Sequence, residues 1–197
     1  MTEKFKSRKI LTPEFRVSFP RVITPGRNFN DTEDEYSMTM LFDKKTDIAE
    51  IKKLMQEAVA FRWPDTKTRP KDLKYPVKDG DSVAYDGYNG CWAIRCASRM
   101  RPGLVDENVQ AIISEDEFYA GCYARASITA YAYAKGNNGV GIGLQNIQKL
   151  RDGEPFAGRS NPTDDFGPPS DPGANDPKNY QTNTGAPTEP WDDDIGF

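Results

Sequence analysis

A chain of 197 residues, 37% hydrophobic and 28% charged, supports one domain with a proper core or two very small ones. Three cysteines and no histidine exclude Ser-His and Cys-His catalysis and leave a structural zinc site too few ligands. The net charge of -4 is unevenly spread, with 24 Lys+Arg against 20 Asp+Glu in residues 1–151 and 2 against 10 in residues 152–197. A basic body joined to an acidic tail points to nucleic acid, or to a tail with a partner of its own.

Cys91, Cys96 and Cys122 form no CxxC pair, and an odd count argues against a disulfide framework. They read as small core residues in a reducing compartment. No apolar run reaches the ~20 residues that span a bilayer. The N-terminal MTEKFKSRKIL has no apolar stretch behind its charges, so it is not a secretory signal and a cytoplasmic protein is expected.

The body reads as strands with one helix. Phe15–Val22 alternates Phe15, Val17 and Phe19 against Arg16, Ser18 and Pro20, the pattern of a half-buried strand. Tyr36–Phe42 alternates in the same way. In Thr46–Trp63, Ile48, Ile51, Met55 and Val59 fall at helical spacing. Asp47 and Glu50 resemble a capping box there, and Pro64 ends the helix, placing it over about 47–63. Residues 65–90, rich in Pro, Lys and Gly, form a long basic connection.

Strands at Cys91–Arg101, Cys122–Lys135 and Val140–Ile147 follow, the last two joined by a hairpin loop at Lys135–Gly139. Glu115-Asp116-Glu117 between them has no second carboxylate set and reads as a solvated turn. Gly139-Val-Gly-Ile-Gly143 lacks the spacing of a dinucleotide fingerprint and reads as a barrel strand. No cofactor and no metal is called for. Five or six strands, one helix and regular turns predict a mainly β protein built on a small barrel.

The strand faces carry the functional signal. In Cys122–Lys135 the even positions are all small or apolar, and the odd ones include Tyr123, Arg125, Tyr131, Tyr133 and Lys135. Side chains alternate across a strand, so one face packs inward and the other presents rings between cations. Rings stack on bases and cations neutralise phosphates, which suits single-stranded nucleic acid. Tyrosines that merely cover a sheet would look the same on this strand alone. The strand Cys91–Arg101 adds Arg95, Arg99 and Arg101 on one face, with no acid in that strand to pair with them, which favours a phosphate-tracking groove. Its even positions, including Trp92 and Met100, suit a core. The connection contributes Lys67, Arg69, Lys71, Lys74 and Lys78, with Tyr75 nearby, as an extension of that groove.

From Asp152 onward, 8 Pro and 6 Gly in 46 residues, with no Val or Leu, describe a segment that cannot bury enough apolar surface to order itself. The expected organisation is a nucleic-acid-binding domain over 1–151 and a disordered tail over 152–197. The tail ends Trp191-Asp192-Asp193-Asp194-Ile195-Gly196-Phe197. This tip resembles the terminal peptide of bacterial single-stranded DNA-binding proteins, with Gly196 where that peptide usually has Pro. Its apolar Ile195 and Phe197 would fill a partner's pocket while the carboxylates meet a basic rim.

The body resembles a different group. Leu11-Thr-Pro-Glu-Phe-Arg-Val-Ser-Phe19, Arg101-Pro-Gly-Leu-Val-Asp106, Glu117-Phe-Tyr-Ala-Gly-Cys-Tyr-Ala-Arg-Ala-Ser127 and Gly143-Leu-Gln-Asn-Ile-Gln-Lys-Leu-Arg-Asp-Gly-Glu154 resemble, in this order, the phage-encoded single-stranded DNA-binding family. The resemblance covers about residues 10–160. It implies an OB-fold that coats single strands non-specifically during phage replication and recombination, in the cytoplasm of an infected bacterium. It also implies an acidic tail that contacts polymerase and helicase, and that occupies the DNA groove until DNA displaces it. Three alternatives from other classes remain: a strand-processing enzyme, for which no metal cluster or nucleophile–base pair is found; a helical, ring-forming annealing protein; and an adaptor that binds only proteins through the tail.

Overall fold

The computed structural model describes residues 7–28, 32–85, 87–134 and 137–156. The chain divides into two units, and the described residues fall in the first, Met1–Gly158; the second, Arg159–Phe197, lies outside them. In chain order the elements are β1 (Ile10–Leu11), β2 (Phe15–Arg27), β3 (Asp34–Asp43), α1 (Ala49–Arg62), β4 (Val77–Asp79), a single 3-10 turn (Gly80–Ser82), β5 (Cys91–Ser98), β6 (Gly103–Val105), β7 (Tyr123–Tyr133) and β8 (Gly139–Arg151).

Five of these strands close into a barrel. β2 pairs with β3, β3 with β5, β5 with β8, β8 with β7, and β7 returns to β2. All these pairings are antiparallel except β5–β8, which is parallel and meets at Ala97–Gly143. The short β1, β4 and β6 flank β7, β5 and β8. A five-stranded barrel with one long inter-strand helix is the OB-fold, as the turn spacing and alternation predicted.

The core follows from that alternation. On β7 the even residues Ala124, Ala126, Ile128 and Ala130 are buried, and they face Phe15, Val17, Met38, Met40, Phe42 and Ile94 in the same cluster. Phe15 and Phe42 meet edge to face, with ring centroids 5.5 Å apart. α1 packs on β7 and β8 and buries Ile51, Leu54, Met55, Ala58 and Val59; the alanines of β7 leave room for it to approach.

The helix begins without the capping box. Ile48 occupies the cap position and offers no side-chain acceptor. Asp47 instead takes the Ala49 N–H at 2.8 Å, and Glu50 turns outward to pair with Arg8 at 2.9 Å. Trp63 N–H still bonds Val59 C=O, and the helix stops before Pro64.

One strand departs from simple alternation. In β2 the register steps from Ser18–Thr39 to Arg21–Ser37, three residues against two, which is a β-bulge. Phe15 and Val17 point inward before it and Val22 after it, while Phe19, expected in the core, is 53% exposed with φ of 47°. Met100, also expected to face the core, lies past the end of β5 and is exposed.

All three cysteines are free. Burial pushes the Cys96 thiol up to about 12 and the Cys122 thiol to about 11, and it raises half-buried Cys91 as well. Neither Cys96 nor Cys122 is therefore expected to react with a thiol reagent at pH 8 unless the protein is unfolded. Truncating the wholly buried Phe42 to Ala should lower the unfolding free energy by about 3–5 kcal/mol, read from the denaturant midpoint at unchanged slope.

Candidate nucleic-acid interface

The groove begins where the barrel opens. β5 shares one edge between two neighbours: β4 takes Trp92 to Ile94, and β8 takes only Ala97. Between these contacts β5 and β8 diverge, and the segment from Lys74 to Asp79 fills the gap. Lys74 N–H bonds Asn138 C=O at 3.0 Å, Val140 N–H bonds Lys74 C=O at 2.8 Å, and Arg95 N–H bonds Pro76 C=O at 3.1 Å. The basic connection is thus a wedge whose backbone satisfies both parted strands.

A cleft of about 360 Å³ lies against this wedge. Lys74, Tyr75 and Lys78 form one wall, with Phe19 and Tyr85 nearby. Arg95 and Ala97 of β5, Gly141 of β8, and Tyr131 and Tyr133 of β7 supply the sheet side. A second cleft of about 520 Å³, lined by Asn28, Glu33, Glu35, Arg99 and Gln145, meets the first at Ala97 and Tyr131. The two make one track across the outer face of β5, β8 and β7.

The glycines of β8 shape that track. Tyr131 lies opposite Gly141 and Tyr133 opposite Gly139. A β-carbon at Gly141 would overlap the Tyr131 ring, and one at Gly139 would strike the Tyr133 hydroxyl and the Lys74 carbonyl. Each ring therefore rests across its glycine, with 6.4 Å between the two centroids. Partial burial, followed by the charges of Glu35 and Tyr133, pushes the Tyr131 phenol above its ordinary range. The ring stays neutral, and so does not repel a phosphate.

Phe19 owes its place to the bulge. Its left-handed backbone is unfavourable for a bulky residue, and persists where the surroundings impose it. The ring meets Tyr85 edge to face at 5.4 Å, and Tyr85 meets Tyr88 at 5.3 Å. Tyr88 is anchored in turn, its hydroxyl 3.1 Å from the buried Ser18 hydroxyl.

The residues singled out from sequence are distributed as follows. Tyr131, Tyr133, Arg95, Lys74 and Tyr75 converge on the first cleft, and Arg99 lines the second. Arg101 lies beyond the end of β5, exposed and outside both clefts. Tyr123 and Arg125 stand at the other end of β7, Tyr123 about 26 Å from Tyr131 along the strand. There Arg151 stacks on Tyr123 at 3.4 Å, and Arg125 donates to the Gln148 side chain at 2.9 Å. Lys135 and Trp191, Asp192, Asp193, Asp194, Ile195 and Phe197 lie outside the described residues.

Two further expectations change. Arg95 of β5 and Arg99, just past its end, do have acidic partners, supplied by β3 and the residue before it: Arg95 bonds Glu35 at 2.5 Å and Arg99 bonds Glu33 at 2.9 Å. The loop cation Arg69 donates to the Trp63 carbonyl at 3.2 Å and belongs to the helix end. Phe118 is buried in the core, and Tyr119 bonds Asp152 and Gly153. Phe19 and Tyr85 were missed. Pro20, which is unusual inside a strand, was the available signal for the bulge; nothing local in the sequence marked Tyr85.

The barrel and its ring-bearing track define the class, an OB-fold protein of the kind that holds single-stranded nucleic acid. Residues 8–177 match the family described as the single-stranded DNA-binding protein of Enterobacter phage Enc34, and the chain belongs to that family. It is 25% identical to the bacteriophage Enc34 single-stranded DNA-binding protein solved in complex with single-stranded DNA; the match covers 77% of this chain and 91% of that one, with a TM-score of 0.65. A putative protein p50 of Acyrthosiphon pisum secondary endosymbiont phage 1 is 29% identical over 165 residues, 76% of this chain and 87% of that protein. The single-stranded DNA-binding protein encoded by bacteriophage T7, 12% identical over 83% of this chain and 97% of that one with a TM-score of 0.56, shares the fold.

Replacing Phe19 by glycine relieves its left-handed backbone but removes its contact with Tyr85. If the ring serves the groove and not the core, Phe19→Gly should leave the melting temperature unchanged or raise it. A fall of several degrees would make Phe19 a structural residue.

Proposed function

We propose that this protein coats single-stranded DNA without sequence preference during phage replication or recombination, in the cytoplasm of the infected host. The observation that carries the reading is the track itself. Half-exposed Phe19, Tyr75, Tyr85 and Tyr131 stand among Lys74, Lys78 and Arg95 on the open face of the barrel. Stacking on a ring accepts any base, and cations beside it hold the backbone. The solved relative that holds single-stranded DNA supports the reading. The process requires binding and no bond-breaking step, so the protein acts as a non-enzymatic partner of the strand.

Tyr123 and Arg125, on β7 but away from the clefts, are proposed as a lesser contact, and Lys135 is proposed with them on the sequence pattern alone. The barrel, with one α-helix among the described residues, favours coating over the helical ring-forming alternative. The tip Trp191–Phe197 is proposed to recruit replication proteins, because its apolar Trp191, Ile195 and Phe197 stand beside three aspartates in an otherwise apolar-poor segment.

Fluorescence anisotropy with a labelled single strand and with the same sequence as duplex tests the reading. Tight single-strand binding, with log K falling against log salt by about 0.7 per phosphate neutralised, supports it; equal affinity for duplex removes it. Tyr131→Ala should weaken binding by about 1–3 kcal/mol. Gly141→Val should weaken it similarly, by lifting the Tyr131 ring without deleting it.

A further inference from the structure

The β2–β3 hairpin carries three successive acids, and each is paired with an arginine. Glu33 holds Arg99 at 2.9 Å, Glu35 holds Arg95 at 2.5 Å, and Asp34 holds Arg27 at 3.5 Å. The first two pairs line the groove; the third does not. Strand register explains the division. Glu33 and Glu35 share a face, and Asp34 points the other way. Thr39 is opposite Arg95 and Ser37 opposite Ala97, so Arg95 reaches along the strand to Glu35, toward the end where Arg99 meets Glu33.

Carboxylates in a groove that receives a polyanion oppose its function unless the opposition is useful. Glu35 has a side chain only 19% exposed, so its charge is poorly screened, and it faces Tyr131 in the middle of the track. An arginine engaged with such an acid meets a phosphate only by giving up that partner or sharing its donors between the two.

Resting on the single-strand reading above, we propose that Glu35 and Glu33 are tuning residues that hold Arg95 and Arg99 in ion pairs which the DNA backbone must displace. They lower affinity and quicken release. A coating protein gains from this, because the enzymes that copy or pair the strand must strip it off. Lys74 and Lys78, which have no ion-pair partner among the described residues, make the first phosphate contacts, and the two arginines engage second.

The test uses the full chain and a labelled dT oligomer. Glu35→Gln and Glu33→Gln should each tighten binding by about two- to fivefold and steepen the salt dependence by about 0.7 for each arginine released. Dissociation should slow by the same factor. Glu117→Gln removes an equal charge from outside both clefts and should change little. Glu35→Gln combined with Arg95→Ala should lose the gain, because the freed group is gone. Unchanged or weaker binding in both glutamine variants, or an equal gain from Glu117→Gln, would overturn the proposal. The more exposed Glu33→Gln keeps the test usable should Glu35→Gln fold poorly. A wild-type chain that ignores single strands would sink the functional reading itself, a result distinct from wild-type binding that the glutamine variants leave unaltered.

Discussion

The barrel is held on one side by a parallel contact between β5 and β8 at the single pair Ala97–Gly143. Backbone polar groups on strands that separate must find other partners, since leaving them buried and unpaired costs about as much as losing a hydrogen bond. The wedge from Lys74 to Asp79 supplies those partners on both sides at once. Much of the functional surface follows. Lys74, Tyr75 and Lys78 stand at the groove because their backbone is needed there, and the cleft lies where the sheet surface parts.

The rings are positioned by absence as much as by contact. Glycines on β8 give the tyrosines of β7 a surface on which to lie, so one strand carries the aromatic and its neighbour makes room. At Phe19 the same end is reached through backbone geometry, with an extra residue in β2 turning outward a ring that strict alternation would bury. Both arrangements leave large apolar groups half-exposed, which a protein without a partner for them would tend to avoid.

What the sequence made legible depended on the range of the interactions involved. The barrel, the helix, the β7–β8 hairpin and the core residues of β7 follow from periodicity within one element, which needs no partner to be read. Arg95 and Arg99 show the limit. Searching their own strand for acids found none, and the partners Glu33 and Glu35 lie some sixty residues earlier, brought alongside by strand register alone. Tyr123 and Tyr131 looked equivalent by parity, yet one stacks with Arg151 and the other lines the cleft, because a long strand passes through several surroundings. Met100 was misplaced for a related reason, lying just past β5, whose pattern was extended to include it, while Arg69, assigned to the basic connection, is drawn back to the helix end by the Trp63 carbonyl.

The seam between β5 and β8 also bears on how the molecule moves. Strand pairs zipped along their length, such as β7 with β8 or β3 with β5, open only with much of the barrel. A seam bridged at one pair, and otherwise patched by a short inserted segment, opens at lower free energy and in a smaller cooperative unit. Amide hydrogens at Lys74, Arg95 and Val140 would then exchange with solvent ahead of those in the zipped strands, through fluctuations that leave the core packed. The groove thus lies along the part of the barrel that yields first, where a passing strand could be admitted or released by local breathing while the fold stays intact.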